Sequence, residues 1–588
     1  MRAISERFAA DATPAPKSPR LPYPGLASAL AREAAERLKD AARARFYRSM
    51  VARLALGGPL PAHLAITPDA LTPATLEGAQ EILRGTFLLP SGTLTVRGQS
   101  PFDAEADDTV RAELHRFEWL AHLEKGGGRT AAEIARALTE DWLDRFAAWH
   151  PLAWRPDILG PRLIAWASHF RFLTGDHDLL FRSRLMKAMT EETRHLARSV
   201  EDAAEGLPRL TAAAALVVMS AALPDGVKRP ERAFAALARA TGTALDTDGG
   251  IVTRNPADQA TAVAALLRAR RALEDARIAP PPALETALAA AAARLAMLRL
   301  GDGGLCCFHG SSEGDPNHLG ELLEGARRSG PAHAAVTGFA RLAYGESLLI
   351  FDHGGPPAGA FAVQAHASPL AFEFSHRDQR LIVNGGTARR RGAAWIDAGR
   401  RTAAHATLDI GGADAGALLE GGSAKRLGAR LYGGHVTGDA AFGETGGWAE
   451  GAHDFWMPRF GTEHRRRLFL DAEGEDLRGE DSLTRNRPRG ALEVAVRFPL
   501  HPDVRATLAQ GGDSVILAPP GGPAWRFRAE AEGPEAMLRL EDAVYMGGET
   551  VRKTVAIVVR ASVTGATWKL RWALKTESPA HRPKRRLV

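Results

Sequence analysis

Apolar residues recur every three or four positions through the first 300 residues, and every second position beyond about 330. The first spacing places one apolar stripe along a helix; the second places alternate side chains on one face of a strand. The spacing predicts helices over 27–56, 130–148, 158–174, 178–204, 209–223, 230–241, 256–275 and 283–300. Short breakers such as 174–178 and 223–230 make consecutive helices antiparallel neighbours, in a bundle, a solenoid or a closed toroid. No exact repeat is present, which speaks against a regular solenoid. Strands are predicted at 370–374, 380–384, 405–410, 466–471, 491–498, 513–518 and 553–561, with turn runs such as 473–476 and 519–525 between them, as in a large antiparallel sandwich.

Glycine usage sharpens this division, because 17 of the 59 glycines precede position 301 and 42 stand at or after it. The 588 residues are several times the roughly 150 of a typical domain. The expected organisation is a flexible N-terminus at 1–25, a helical domain at 26–325, a β-sandwich at 326–578 and a basic tail at 579–588. That tail reads as a frayed soluble end, with nucleic acid not an expected partner. Lys and Arg exceed Asp and Glu by 75 to 69, a net +6 that favours polyanionic partners without choosing among them. The two cysteines, Cys306 and Cys307, are adjacent, so a disulfide framework and a four-cysteine zinc site are both excluded, and packing is their expected role. The longest apolar stretch, 210–223, has 14 residues, too few to span a bilayer, and reads as a buried helix. The first 25 residues carry no apolar core of signal-peptide length, so the expected location is the cytoplasm.

Several segments carry a family resemblance. GDGGLCCFHGSSEGD (301–315), TGFARLAYGESLLIFDHG (337–354), HASPLAFEFSHRDQRLIVNGG (366–386) and RTAAHATLDIGG (401–412) together resemble the heparinase II/III family of polysaccharide lyases. SPFDAE (100–105), LHRFEWLAHL (114–123), 148–169 and DGGIVTRNP (248–256) resemble the helical domain of the same family, in the same order. The resemblance implies an (α/α) toroid followed by an antiparallel β-sandwich, a site between them, and β-elimination on uronate-containing polysaccharide. In that reaction the uronate carboxylate is neutralised, a Tyr or His removes the C5 proton, and the glycosidic oxygen leaves. A periplasmic location is the alternative that the family implies.

Three positions depart from the family pattern. Where the resemblance implies an Asn-His pair, this chain has Leu207 and Pro208; Asp258 stands in the place of the catalytic Tyr, and Gln364 in that of a histidine. The remaining candidates for catalysis are His405 and, as runner-up, Asp258 with a carboxyl raised by burial. Arg254, Asn255, Gln364, Trp395 and Arg401 are the candidate substrate contacts. Arg254, Trp395 and Arg401 are expected to line one cleft, while Asn255-Pro256 is also simply a turn before a helix. The family's structural zinc implies His366, Asn384 and His405 as ligands, with Asn384 lacking the anionic oxygen that zinc favours; the alternative is that the two histidines hydrogen-bond across neighbouring strands. His453 and His464 read as strand-edge residues, and GDGG (301–304) as a loop.

Two functions follow. One is a carbon–oxygen lyase, or a derived carbohydrate-active enzyme, acting on an acidic polysaccharide or glycoconjugate. The other is a catalytically inactive glycan-binding or scaffolding protein of the same fold, with weak or no activity on heparan-type and alginate-type polymers.

Overall fold

The computed structural model describes residues 23–175, 179–223, 230–533 and 536–577. The tail at 579–588, nearly all of the N-terminal segment, and parts of the breakers at 174–178 and 223–230 lie outside the described residues.

The N-terminal half is helical and begins with Leu26–Tyr47 and Met50–Leu54. Proline opens Pro156–Ser168, Pro230–Ala244, Pro256–Asp275, Pro282–Met297 and Pro316–Gly325, where its missing N–H has no intrahelical partner to lose. The apolar run forms Leu207–Ala222, which packs against Pro156–Ser168, Pro230–Ala244 and Pro256–Asp275 and is buried from Ala212 through Ala222. Small residues allow this crowding. A Cβ on Gly160 would sit 2.9 Å from the Ala215 Cβ and 3.4 Å from the Ala212 Cα, so the two helices meet almost backbone to backbone.

One ion pair is sealed inside this half. Arg162 and Glu192 are both buried, and the Arg162 guanidinium donates to Glu192 at 2.8 and 3.1 Å and to the His115 and Ala153 carbonyls at 3.1 and 2.8 Å. It also lies 4.3 Å from the Trp142 ring centroid.

Among the described residues, three larger antiparallel sheets and a two-stranded one, Ala417–Leu418 with Leu431–Tyr432, make up the C-terminal half. A five-stranded sheet runs in chain order from Ala334–Val336 to Gln379–Ile382; an eight-stranded sheet includes Gly446–His453 and Thr462–Asp471; a four-stranded sheet pairs Leu492–Pro499 with Arg552–Val563 and Leu408–Ile410. Leu342, Phe351 and Phe372 from the first sheet, Leu468 and Trp568 from the second and Val494 and Val559 from the third share one core. The joint packs on the sandwich side, since Met297, Leu300, Cys306 and Phe308 cluster with Phe339, Leu348 and Ile350.

Sequence and structure differ at several strands. Ser347–Asp352 and Phe372–His376 are buried along their entire length, so they lack the alternation of a half-exposed strand. The predicted strand at 405–410 shortens to Leu408–Ile410, leaving His405 in the preceding turn. His453 and His464 are not edge residues; they face each other across two paired strands in the core. The Phe455 N–H donates to His453 Nδ1, which leaves the His453 Nε2–H for His464 Nδ1 at 3.1 Å and the His464 Nε2–H for Asp481 at 2.8 Å. Arg466 and Trp572 also donate to Asp481, so this chain of neutral imidazoles ends on a fully satisfied carboxylate.

Removing one partner of the helical-half ion pair strands the other in a dry interior. Arg162→Met should therefore cost about 3–5 kcal/mol, read as a lower chemical-denaturation midpoint of the full chain. An unchanged midpoint would contradict the burial of Glu192.

Candidate functional site

The site forms where the loop before helix Pro256–Asp275 meets the first sheet of the sandwich. Arg254 and His309 both adopt left-handed backbone, with φ of 56° and 47°, a strained state for residues with a Cβ. Their side chains converge on Asp352, at the end of strand Ser347–Asp352. Arg254 donates to the Asp352 Oδ1 and, at 2.8 Å, to the Gly338 carbonyl, and it also reaches the Gly355 carbonyl. Its guanidinium stacks 4.6 Å from the Phe339 ring centroid. His309 holds the Asp352 Oδ2 at 3.0 Å. A Cβ on Gly338 or Gly354 would come within 2.6 or 2.5 Å of the guanidinium, so the fit depends on glycine at both positions.

The ionic state follows from this packing. Burial alone would raise the Asp352 carboxyl, but Arg254 and His309 outweigh it and hold the group down at about 2. Burial lowers His309, and its Nδ1 accepts the His366 N–H, so it is a neutral imidazole with its proton on Nε2.

The next shell closes the cleft. Asn255 caps helix Pro256–Asp275, its Oδ1 accepting from the Ala257 N–H at 2.8 Å, while its Nδ2 lies 3.5 Å from the Gln364 Oε1. Arg389 donates to the same Gln364 oxygen and to the Gly310 carbonyl. Asp258 accepts from the Thr253 hydroxyl at 2.7 Å, and burial raises its carboxyl. At the start of helix Leu207–Ala222, a Cβ on Gly206 would strike the Phe361 ring at 2.8 Å, so Phe361 fills the space beside Leu207 and Pro208.

Several candidates therefore take other roles. Arg254 is an interdomain tie whose two terminal nitrogens are spent on Asp352 and on the Gly338 and Gly355 carbonyls. Arg401 does not share its contacts; it is spent on Asp397 and Asp414 at 2.7 and 2.8 Å. Trp395 lies half-buried on the short helix Ala393–Arg400, and its neighbour Arg400 turns inward to the Ala365 and Ala429 carbonyls. His405 is fully enclosed, burial pushes it down to about 3, and it touches no open surface from which to act on a polymer. Asn255 acts as a helix cap. His309 and Asp352, the centre of the cluster, were not singled out in the sequence, although both stand within segments that carry the family resemblance. The two stand 43 positions apart, and no local pattern joins them.

The donors that the resemblance implies for zinc are in part turned to one another and to the backbone, with the His405 Nδ1 left unpartnered. The His405 Nε2 lies 3.0 Å from the Gly399 carbonyl and 3.2 Å from the His366 Nδ1; the carbonyl can only accept, so that nitrogen carries its proton and offers no lone pair. The Asn384 Oδ1 is taken by the Ala406 N–H at 3.1 Å. Among the described residues, no group of three or more His, Cys, Asp or Glu is arranged to hold a metal ion. The geometry is that of two histidines hydrogen-bonded across the sandwich.

A helical toroid followed by an antiparallel sandwich, with a site at the joint, is the class of fold that the comparisons share. The pattern of the heparinase II/III-like C-terminal domain matches residues 326–573. FtsZ-localized protein C of Caulobacter vibrioides is 32% identical over 540 residues, covering 89% of this chain and 92% of that protein. Among solved structures, heparinase III superposes with a TM-score of 0.68 at 14% identity, and a mutant of heparan sulfate lyase HepC from Pedobacter heparinus with 0.60 at 14%; each alignment covers 95% of this chain and 92% of the other. The chain belongs to the heparinase II/III-like family.

Two outcomes test this site. Because the Asp352 carboxyl is depressed in the folded state, its stabilisation is complete above about pH 4 and is lost as pH falls toward 2. Asp352→Asn should flatten that part of the acid-unfolding profile and cost about 2–3 kcal/mol at neutral pH; an unaltered profile would show that the tie carries no stability. Metal analysis of the purified full chain should return far less than one zinc per chain, and a stoichiometric ion would overturn the assignment of the His405 proton.

Proposed function

We propose that this chain is a non-lyase member of its family that serves as a scaffold in an FtsZ-containing assembly. The observation that carries the reading is the internal use of Arg254. β-Elimination needs a group that neutralises the uronate carboxylate and a base near the C5 proton. Here the cation that faces the cleft is neutralised by Asp352, and the resemblance aligns Leu207 and Pro208, which follow the Gly206 packed on Phe361, with the family's Asn-His pair. The relative that matches along nearly its whole length is named for its localisation with FtsZ, and carrying that property over gives the partner. Among the described residues no helix is long and apolar enough to cross a membrane.

A lyase or glycan-binding role on an acidic polysaccharide is the second reading. One observation favours it: Asp258 stands in the place of the family's tyrosine with a carboxyl raised by burial, the condition for a carboxylate base.

Co-sedimentation with purified FtsZ polymers is the test. The full chain should pellet with polymerised FtsZ in saturable fashion and stay in the supernatant when polymerisation is blocked. Equal pelleting with and without polymer would remove the scaffold reading.

A further inference from the structure

One helix stands apart from the rest of the helical half. Leu26–Tyr47 has 22 residues, a length of about 33 Å, and every one of them is exposed or half-buried. Residues 34–42 form an unbroken exposed run, with Leu38 at 74%. About two and a half turns therefore stand clear of both halves of the molecule.

Its ends are held, each by a different half. At the first, the Tyr23 hydroxyl donates to the Leu418 carbonyl at 3.2 Å, and its ring centroid lies 4.9 Å from that of Tyr432. Leu418 and Tyr432 belong to the two-stranded sheet of the sandwich half, and the helix also packs against Gly421–Leu427, which lies between those strands in the chain. At the second, the Tyr47 hydroxyl donates to the Asp202 Oδ2 at 2.8 Å and Arg43 pairs with the Oδ1 at 3.1 Å. The Tyr47 ring meets the His195 ring edge-on at 4.6 Å. Asp202 and His195 are both in the helical half.

The sequence between these anchors stays helical without support from a core. Eight of the 22 residues are alanine, and Arg37–Glu33, Lys39–Glu36 and Arg43–Asp40 pair along the helix at 2.9, 2.6 and 3.1 Å. A helix with no apolar face to bury and its own ion pairs is suited to bridging between domains. A flexible linker would only tether the two halves, whereas a helix also fixes the distance between its ends.

The segment Gly359–Gln364 lies beside both anchors. A Cβ on Gly206, four residues beyond Asp202, would strike Phe361 at 2.8 Å, and one on Gly428, directly after Gly421–Leu427, would strike Val363 at 2.8 Å. Any change in the angle between the halves would move one of these contacts, and with them Gln364 of the site.

We propose that Leu26–Tyr47 is a strut that fixes the opening between the helical half and the sandwich, and through it the placement of Gly359–Gln364. The Arg254–Asp352 tie is the pivot, and the strut sets the angle about it. The device is a property of the fold and is independent of any contact with FtsZ.

Distance measurement between two spin labels on the full chain is the test. Arg232→Cys in the helical half and Glu530→Cys in the sandwich supply exposed label sites, while Cys306 and Cys307 are buried away from the reagent. With the strut intact the pair should give one narrow distance distribution. Leu38→Pro breaks the helix within its exposed run, where no core is disturbed, and should at least double the width of that distribution. Ala35→Gly combined with Ala41→Gly loosens the helix without breaking it and should broaden the distribution less, in the same sense. Leu38→Gln keeps the helix and should leave the distribution unchanged. An unchanged width in Leu38→Pro, or equal broadening by Leu38→Gln, would overturn the proposal. Should Leu38→Pro fail to fold, the glycine pair decides, and no broadening there would overturn it as well.

Discussion

The contact between Arg254 and Asp352 determines what the rest of this molecule can do. It joins a loop of the helical half to the end of a central sandwich strand, 98 positions apart in sequence, in a setting where both side chains are largely removed from water. A buried charge of either sign is costly alone, and each partner is acceptable only because the other is present. The arrangement also spends backbone strain at Arg254 and His309 and requires two glycines against the guanidinium. Such a concentration of local cost is characteristic of sites that the surrounding fold holds in place. The same contact takes out of circulation the cation best placed to bind a substrate anion.

The helical half was largely legible in the sequence. Its helices bury one or two faces against small residues, so three- and four-residue spacing survives in the chain and prolines mark where several of them begin. The sandwich was less so. Ser347–Asp352 and Phe372–His376 are covered on both sides, the first an apolar run and the second an alternating FEFSH whose polar positions are buried as well, whereas Val436–Gly443 and Gly446–His453 are rich in glycine and alanine and are held by their neighbours rather than by β propensity.

Legibility of the site stopped at proximity. The resemblance led to Arg254, Asn255, Asp258, Gln364, His366, Asn384 and His405, and the structure draws these toward one joint. Their roles depend on partners that no local pattern reveals. Asn255 is consumed by capping, Arg254 by an aspartate from the other domain, and His405 by a carbonyl six residues before it. Trp395 and Arg401 looked suitable by composition, but Arg401 meets two nearby carboxylates first. A residue type carries chemistry only when its polar atoms are left over after folding, and the buried atoms left without a partner near this joint include the Ser368 Oγ, the His405 Nδ1 and the Asn384 Nδ2.

The account therefore rests on a family fold whose cleft has turned its charges inward. Ultraviolet detection of unsaturated uronate, with the full chain incubated over a panel of acidic polysaccharides, tests this most directly. The account predicts no product above the level of a heat-denatured control. Sustained formation of unsaturated product, abolished by Asp258→Asn, would contradict it and return the chain to the lyases.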